Sequence, residues 1–439
     1  MLKAGFGRID ITPPLGSYLQ GYQDPRYAKG VLDPLSANAL AFDDGEKRAV
    51  IIVCDLVGIS QEVMENLRPT VAEIAGLPRE AVFVSCTHIH TGPGLSKYRY
   101  GFNNEEYVEW VMKRLGDVAV LAINDLAEAK MSYTRGRASD IAFIRRFRMK
   151  DGSVCTNPGW QNPDIDHPLG TPDEESQLLI IKREGKPEIG VVNFQVHPDV
   201  IGGEYLSADF PGFVRRTYER NVPNSLCVYI NGAWGDTNHI DVRLSGEEEY
   251  AKGYTRSKHM GEKIAFSVLA NYELAKEIPD GKVNFAEKRV AIKYRKAGSE
   301  EELERARELV ELQKKHGVEN ILPEVKIFMR RVEMVAEAQR IVGLADVTGD
   351  KELVVTAVSA GGVAFAGFPG EPFADVGCAI KEKSKFELTI PVGAANGYEA
   401  YYPTKQAYTE GGYEVAGSRL VDTVADELVE ASAEIINNF

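Results

Sequence analysis

The sequence holds seven histidines, and two of them stand together in SCTHIHTGPG, as His88 and His90. If this piece runs extended, side chains at i and i+2 point to the same side, so both imidazoles would face one crevice. Neutral imidazole is a nitrogen ligand for zinc. The alternative for the pair is two hydrogen-bonded histidines of the core. His197 follows the apolar run VVNFQV and precedes Pro198, which puts a third imidazole at a strand exit. His239, in NGAWGDTNHI, and His167, in PDIDHPLG, are weaker candidates, and His259 and His316 fall in charged, helix-like stretches where a solvated role is expected. Three carboxylates have distinctive settings. Asp55 ends an apolar run, Asp236 follows Gly235 in a turn-like stretch, and Glu371 sits in FPGEPF between Gly370 and Pro372. A rigid connection of that last kind suits a preorganised ligand, or an acid at a helix N-terminus.

Other chemistries are removed by what the chain lacks. It has no GxGxxG, no GxxxxGK[ST], no HExxH and no GxSxG, the signatures of dinucleotide folds, P-loops, helical zinc proteases and serine-hydrolase elbows. The five cysteines (Cys54, Cys86, Cys155, Cys227 and Cys378) are scattered without CxxC spacing. That argues against a disulfide framework or a thiolate zinc knuckle. A formal charge of −14, from 65 acidic and 51 basic side chains, disfavours nucleic acid and anionic membrane as partners. With 44% hydrophobic and 26% charged residues the chain has an ordinary globular composition. The opening MLKAGFGRIDITPPLG has no apolar core before a cleavage site, and no run approaches the roughly 20 apolar residues of a membrane span, so a cytoplasmic protein is the expectation.

The elements that must position these groups alternate. Strands are expected at 37–42 and 48–54, a helix at 62–75, a strand at 81–86, a helix at 105–127, strands at 191–195 and 226–230, and a helix at 247–273. This is an α/β pattern. In open α/β sheets polar residues just past strand C-termini converge in a crevice, and 87–90, 197 and 231–236 all hold such positions. Beyond a β-like segment at 280–294, two highly charged helices at 300–316 and 324–341 form a hairpin, with Pro323 just before the second. The hairpin reads first as a surface insertion, with a lid or an oligomer contact as alternatives. Strands follow at 351–359 and 363–367, then FPGEPF, a short helix to 381, a strand at 386–391, a tyrosine- and glycine-rich loop at 393–417 and a last helix at 418–435. No heptad run fixes an oligomeric state.

Read in order, GRIDITPP, VIIVCDLVG, SCTHIHTGPG, NGAWGD, FPGEPF and ANGYEAYYPTKQAYTEGGYE resemble the catalytic region of the neutral/alkaline, non-lysosomal ceramidase family, over about residues 4–430. The resemblance implies an α/β fold of mixed β-sheets flanked by helices, a ceramidase-like catalytic domain without the family's C-terminal immunoglobulin-like domain. It implies one catalytic unit over 1–439. Within that unit lie an N-terminal α/β region at 1–280, a charged helical insertion at 295–342, and a C-terminal region at 343–439 that completes the metal site. Family members are zinc-dependent amidases whose metal is held by two histidines, a glutamate and a tyrosine. By motif these are His88, His197, Glu371 and Tyr401. His90 takes the place of the catalytic histidine, Arg145 (or its neighbour Arg146) that of an active-site arginine able to hold a polar part of the substrate, and Asp55 that of a supporting acid. Asp236 is a second candidate for carrying the proton. Tyr398, Tyr402, Tyr408 and Tyr413 either line the entrance or pack under the loop.

The partner implied is a small-molecule or lipid-like N-acyl substrate. One departure stands out: Gly232 falls where characterised members have a serine. It opens an alternative, a zinc-dependent esterase or another hydrolase acting on a non-sphingolipid small molecule. A metal-retaining binding protein, and an oligomerisation protein built on the hairpin, are the remaining classes.

Overall fold

The computed structural model describes residues 1–96, 105–245 and 250–439, and the backbone of 98–99 and 102–103. Nine strands form a wide sheet: β1 (Lys3–Asp10), β2 (Ser36–Asp43), β3 (Arg48–Cys54), β4 (Val82–Cys86), β5 (Ala127–Arg137), β6 (Glu175–Arg183), β7 (Glu188–Phe194), β8 (Ser225–Asn231) and the short β9 (Lys276–Ile278). Their spatial order is β8-β7-β6-β5-β1-β2-β3-β4, with β9 also paired to β5. A narrower sheet follows from β10 (Val283–Lys293), β11 (Asp350–Ala360), β12 (Val363–Gly367) and β14 (Leu388–Val392), in that order. Between the last two, β13 (Glu371–Pro372) pairs in parallel with β15 (Tyr401–Tyr402).

The strand period of two decides the layering. In β3, Val50, Ile52 and Cys54 face one way and Ala49, Ile51 and Val53 the other. The first set packs under helices α1 (Gln61–Ala75) and α2 (Glu105–Asn124) through Leu67, Val71, Leu115 and Val118. The second set meets Phe365 and Ile390 of the narrow sheet in a shared core. The pattern repeats further along. Leu179 and Val191 enter the shared core, while Leu178 and Val192 pack with α3 (Asp209–Asn221) and α4 (Tyr254–Leu269). The chain is thus a four-layer α/β/β/α sandwich. Because both faces of the wide sheet are covered, its strands read as continuous apolar runs such as RAVIIVC.

Three connections are parallel crossovers: β3-α1-β4, β7-α3-β8 and β12-α7-β14, where α7 is Ala374–Lys383. Parallel neighbours require such a crossover. The Ser60 hydroxyl caps α1 by accepting from the Val63 amide, and Gly76 ends it at φ 65°.

The charged hairpin consists of α5 (Glu300–His316), opened by a reciprocal capping box between Ser299 and Glu302, and α6 (Phe328–Leu344). It is not a simple surface insertion. Val332 and Val335 are buried in it with Val318 and Ile321. The Gln313 amide donates to the Gln23 carbonyl (3.2 Å) and to Asp24 (3.0 Å), which ties α5 to the N-terminal loop. The Arg340 guanidinium donates to the Ala416 carbonyl at 3.0 Å, tying α6 to the late loop. That loop is itself partly helical, as α8 (Lys405–Glu410) and α9 (Tyr413–Gly417), and α10 (Val424–Asn437) closes the chain.

Several expected boundaries move. The helix expected to 127 stops at Asn124, and Ala127–Arg137 is a strand of the wide sheet whose alternation the charged residues of AEAKMSYTRGR conceal. The helix expected at 247–273 begins at Tyr254, and 246–249 lie outside the described residues. The last helix begins at Val424 rather than 418. Pro323 stands five positions before α6, outside its first turn.

Candidate functional site

Each crossover sends a polar residue past the C-terminal end of one of its strands. His88 and His90 follow β4, His197 follows β7, and Glu371 follows β12. These are the positions where open α/β sheets gather their ligands.

The three imidazoles meet at their Nε2 atoms. His88 and His197 are 3.3 Å apart there, His90 and His88 3.3 Å, and His197 and His90 3.1 Å. The Glu371 carboxylate joins them, with Oε2 3.4 Å from His88 Nε2 and 3.7 Å from His197 Nε2. All four side chains are buried. The convergence of His88 and His90 does not come from strand alternation. His88 lies in the left-handed region at φ 68°, just past the end of β4, and the turn carries the two rings to 5.0 Å between centroids. The close approach continues on the other side of His90, where a Cβ on Gly21 (φ 123°) would lie 2.8 Å from the ring.

Second partners fix the orientation. His88 Nδ1 donates to the Val57 carbonyl at 2.7 Å, which leaves its Nε2 with a bare lone pair. Its ring stacks on Trp234, whose indole N–H donates to Glu371 Oε2 at 3.2 Å. The Tyr398 hydroxyl donates to the other Glu371 oxygen. Gly58 permits this, because a Cβ there would lie 2.8 Å from the Tyr398 ring. Burial resists ionisation of Glu371, but His88, the Tyr398 hydroxyl and Arg145 outweigh it and hold the carboxyl at about 2. Burial, then His88, pushes His90 well below the ordinary imidazole range, and burial, then Arg145, does the same to His197. Burial thus favours the neutral form of His90 and His197, and the cluster offers imidazole nitrogen beside an ionised carboxylate. Buried, converging lone pairs of this kind repel one another unless a cation lies among them. Nitrogen and carboxylate oxygen together are a zinc donor set, so the residues fit the metal that the sequence resemblance implies.

Tyr401 pairs in register with Glu371 across β13 and β15. Its ring lies under the Arg145 guanidinium (5.3 Å) and edge-on to Tyr413 (5.6 Å). Burial, then the Glu371 carboxylate, pushes its phenol well above the ordinary value, with Arg145 pulling the other way.

Arg145 is placed against the cluster. Its Nε donates to Glu414 (2.7 Å), Nη2 to the Gly235 carbonyl (2.8 Å), and Nη1 stands 3.2 Å from His197 Nδ1. The guanidinium expected to hold a polar part of the substrate makes these contacts with the protein and lies behind His197. Arg146 reaches Glu410 and the Gly411 carbonyl.

Two acids lie elsewhere than the sequence suggested. The Asp236 carboxylate accepts from the Ala374 amide at the start of α7 (2.8 Å), and burial raises it to about 6. It faces a helix terminus rather than the imidazoles. Asp55 makes a bidentate pair with Arg215 (2.9 and 2.6 Å) and also takes the amide and hydroxyl of Ser36, so it anchors α3 to the sheet rather than a histidine ring. Its link to the cluster is a 3.3 Å contact with the Thr87 hydroxyl, next to His88.

A cavity of about 600 Å³ opens onto His88, His90, Glu371, Tyr398, Tyr401 and Tyr413, with α6 as one wall. Tyr402 and Tyr408 are instead tied to the carbonyls of Pro369 and Leu420 and pack beneath. His239 is buried next to this region but has no partner for either ring nitrogen among the described residues. His167 is exposed beside Asp166.

Sequence reasoning did not assign Trp234, Tyr22 or Glu414. The first two signal themselves only as aromatics in glycine-rich stretches. Tyr22 packs edge-on to His90 at 5.4 Å and donates to Asp199, whose Oδ1 lies 3.7 Å from His90 Nδ1. Gly232 does not face the imidazoles: a Cβ there would meet Gln195 at 2.8 Å.

Comparison with known proteins agrees with this picture. The chain aligns with a crystal structure of neutral ceramidase from Pseudomonas aeruginosa at a TM-score of 0.73 and 17% identity, over 100% of this chain and 75% of that one. A structure described as a ceramidase complexed with C2 aligns at 0.71 and 17%, over 100% of this chain and 76% of that one. The likeness establishes the fold. The family profile described as neutral/alkaline non-lysosomal ceramidase, N-terminal, matches residues 2–242, more than half of the sequence and the part that carries all three clustered histidines. The chain belongs to the neutral/alkaline non-lysosomal ceramidase family.

Proposed function

We propose that the protein is a zinc-dependent hydrolase of a linear amide, an N-acyl bond, with His88, His197, Glu371 and Tyr401 holding the metal and His90 carrying the proton. The observation behind this reading is the meeting of three imidazole Nε2 atoms and one carboxylate at 3.1–3.7 Å in a buried pocket that opens onto a cavity. Bound zinc supplies Lewis acidity and lowers the pKa of water to about 7.

The protein's own groups do the rest. His88 is held by Val57 and Trp234 with its lone pair aimed inward. Glu371 is kept ionised and oriented by Trp234 and Tyr398. Arg145 holds His197 from behind and lies over the Tyr401 ring, where its charge favours a phenolate. His90 lines the cavity, whereas His197 does not, and its Nδ1 makes no hydrogen bond among the described residues. A histidine so placed can take a proton from the attacking water and deliver it to the leaving nitrogen. The Tyr413 phenol, beside Tyr401 and facing the cavity, is placed to donate to the carbonyl oxygen as negative charge develops there.

A second reading makes His90 a third nitrogen ligand, favoured by Nε2 distances equal to those of its neighbours. Zinc analysis of His90→Gln separates the two, since a proton carrier leaves the metal in place. The alternative of a zinc-dependent esterase or another hydrolase of a non-sphingolipid small molecule is motivated by Gly232, where a Cβ would meet Gln195, and ester substrates decide it. The test of the whole reading is metal analysis of purified protein joined to matched amide and ester panels. About one zinc per chain and amide cleavage lost on chelation are expected. Zinc-loaded protein that cleaves no amide would sink the reading.

A further inference from the structure

The cavity over the histidines has an unusual lining for an alkyl-chain pocket. Among the described residues its aliphatic side chains are Val57, Leu95, Ala336 and Ala400, and Val57 and Leu95 are each only 1% exposed. Among the described residues they offer a small floor beside the rings of Tyr22, Tyr398, Tyr401 and Tyr413. The charged groups of the wall answer one another. Glu399 takes the Lys351 ammonium at 2.6 Å and the Arg419 guanidinium at 3.5 Å, and Arg340 donates to two carbonyls and to Glu337.

Two primary amides are left over. Gln20, on the N-terminal loop, is only 7% exposed yet borders the cavity, and its backbone hydrogen bonds leave its side-chain amide with no protein partner among the described residues. It is pressed against the opposite loop, where a Cβ on Gly94 would fall 1.8 Å from its Oε1. Gln339, half-buried on α6, borders the same cavity, and its side-chain amide likewise has no hydrogen-bond partner among the described residues. A primary amide that faces a cavity is satisfied by water, or by hydroxyls or amides of a ligand, but never by methylenes. A cavity of this volume suits a small molecule.

Resting on the hydrolase reading above, we propose that the substrate is a small, uncharged N-acyl amine with a short acyl group and hydroxyl or amide substituents, recognised by Gln20 and Gln339, and not a two-chain lipid. The α5–α6 hairpin, which brings Gln339 to the cavity and fastens the loop carrying Gln20, is then a specificity element.

The test uses the zinc-loaded full chain with N-acetyl-, N-hexanoyl- and N-palmitoyl-serinol. The value of kcat/KM should be highest for the acetyl compound and fall with chain length. Gln20→Met and Gln339→Met should each lower it about tenfold or more for the acetyl compound, with zinc content and Tm unchanged, because a site built to hydrogen-bond its substrate loses most when the partner is removed. If Gln20→Met fails to fold, Gln339→Met, on a half-buried helix face, carries the test. A kcat/KM that climbs with acyl length, or that neither substitution alters, overturns the proposal. Should no compound be cleaved, the hydrolase reading fails while calorimetry still decides the pocket: the acetyl compound should bind, and bind more weakly to both variants, whereas tighter binding of the palmitoyl compound overturns the assignment.

Discussion

The wide sheet delivers nitrogen to the site, and the narrow sheet with its late loop delivers oxygen. His88, His90 and His197 leave β4 and β7, while Glu371, Tyr398, Tyr401 and Glu414 come from the region after β12. The two halves also differ in how they hold what they deliver. The histidines are set by backbone: a left-handed residue at position 88, a carbonyl on His88 Nδ1, and the Pro198 carbonyl accepting the His90 amide. The oxygens are set by one another and by side chains from the other half, with Trp234 on Glu371 and Arg145 on Glu414. A site made this way exists only when the two sheets share their core. The contact of Ile51, Phe83 and Val228 with Phe365 and Ile390 is therefore part of the chemistry.

The sharpest way to break the comparison is to remove one donor from each half. His88→Ala and Glu371→Ala should both lose zinc and lower kcat/KM for an amide substrate by about a thousandfold or more, about 4 kcal/mol of transition-state stabilisation. Metal analysis and steady-state kinetics read this. Equal losses mean one shared ion. Retention of zinc and turnover in Glu371→Ala would detach the late region from the centre.

Glu414 tests the join itself. It is fully buried, with Arg145 at 2.7 Å, the Thr156 hydroxyl at 2.8 Å and Arg146 at 3.8 Å. Removing one partner of a buried pair is destabilising by about 3–5 kcal/mol, because the remaining charge is stranded. Glu414→Ala should lower the denaturant midpoint accordingly and weaken zinc binding through a displaced Arg145. A shift below about 1 kcal/mol would show that water reaches Arg145 and that the halves are less tightly joined than the distances suggest.

His90→Gln sharpens the division of labour within the wide sheet. Loss of a general acid–base group lowers rate by about 10²–10⁴-fold. The variant should keep its zinc while kcat falls in that range. If the zinc leaves with the imidazole, all three nitrogens are ligands and the proton travels elsewhere.

Legibility in the sequence follows the same line. His88, His90 and His197 could be found because they stand just past apolar runs, and Glu371 because FPGEPF is a rigid connection. Tyr401 came only through resemblance: a tyrosine among the many of the late loop carries no local signal that separates it from Tyr402, which is buried one residue away on the Pro369 carbonyl. Asp236 and Asp55 looked like site acids because they too follow strands, but the carboxylate of one faces the first turn of α7 and that of the other faces Arg215. A strand exit says where a residue starts, not where its side chain ends. The fold was legible where strands are apolar throughout, and illegible in Ala127–Arg137, whose exposed alternate positions carry charge. The hairpin was legible as two helices but not as a cavity wall, because its anchors, Gln313 on Gln23 and Asp24 and Arg340 on Ala416, are long-range hydrogen bonds with no local sequence signal.

The smallest expected effect concerns a histidine that neither half uses. His239 is 2% exposed, and neither ring nitrogen has a hydrogen-bond partner among the described residues. Burial lowers its pKa to about 3, with Asp199 pulling the other way. The unfolded chain takes up this proton near pH 6.5 and the folded protein does not until about pH 3, so stability is unaffected above about pH 6.5 and falls as the pH drops below it. His239→Leu removes that contribution. Urea midpoints measured at pH 7.5 and pH 5 should lie closer together in the variant than in the parent, by an amount on the order of 1–2 kcal/mol, and the variant should be at least as stable as the parent at pH 5 because no unpaired ring nitrogen is buried. Zinc content should stay the same. The same pH dependence in parent and variant would show that the buried ring keeps an ordinary proton affinity, whereas a variant that loses zinc would place His239 in contact with the centre and add a fourth imidazole to the contribution of the wide sheet.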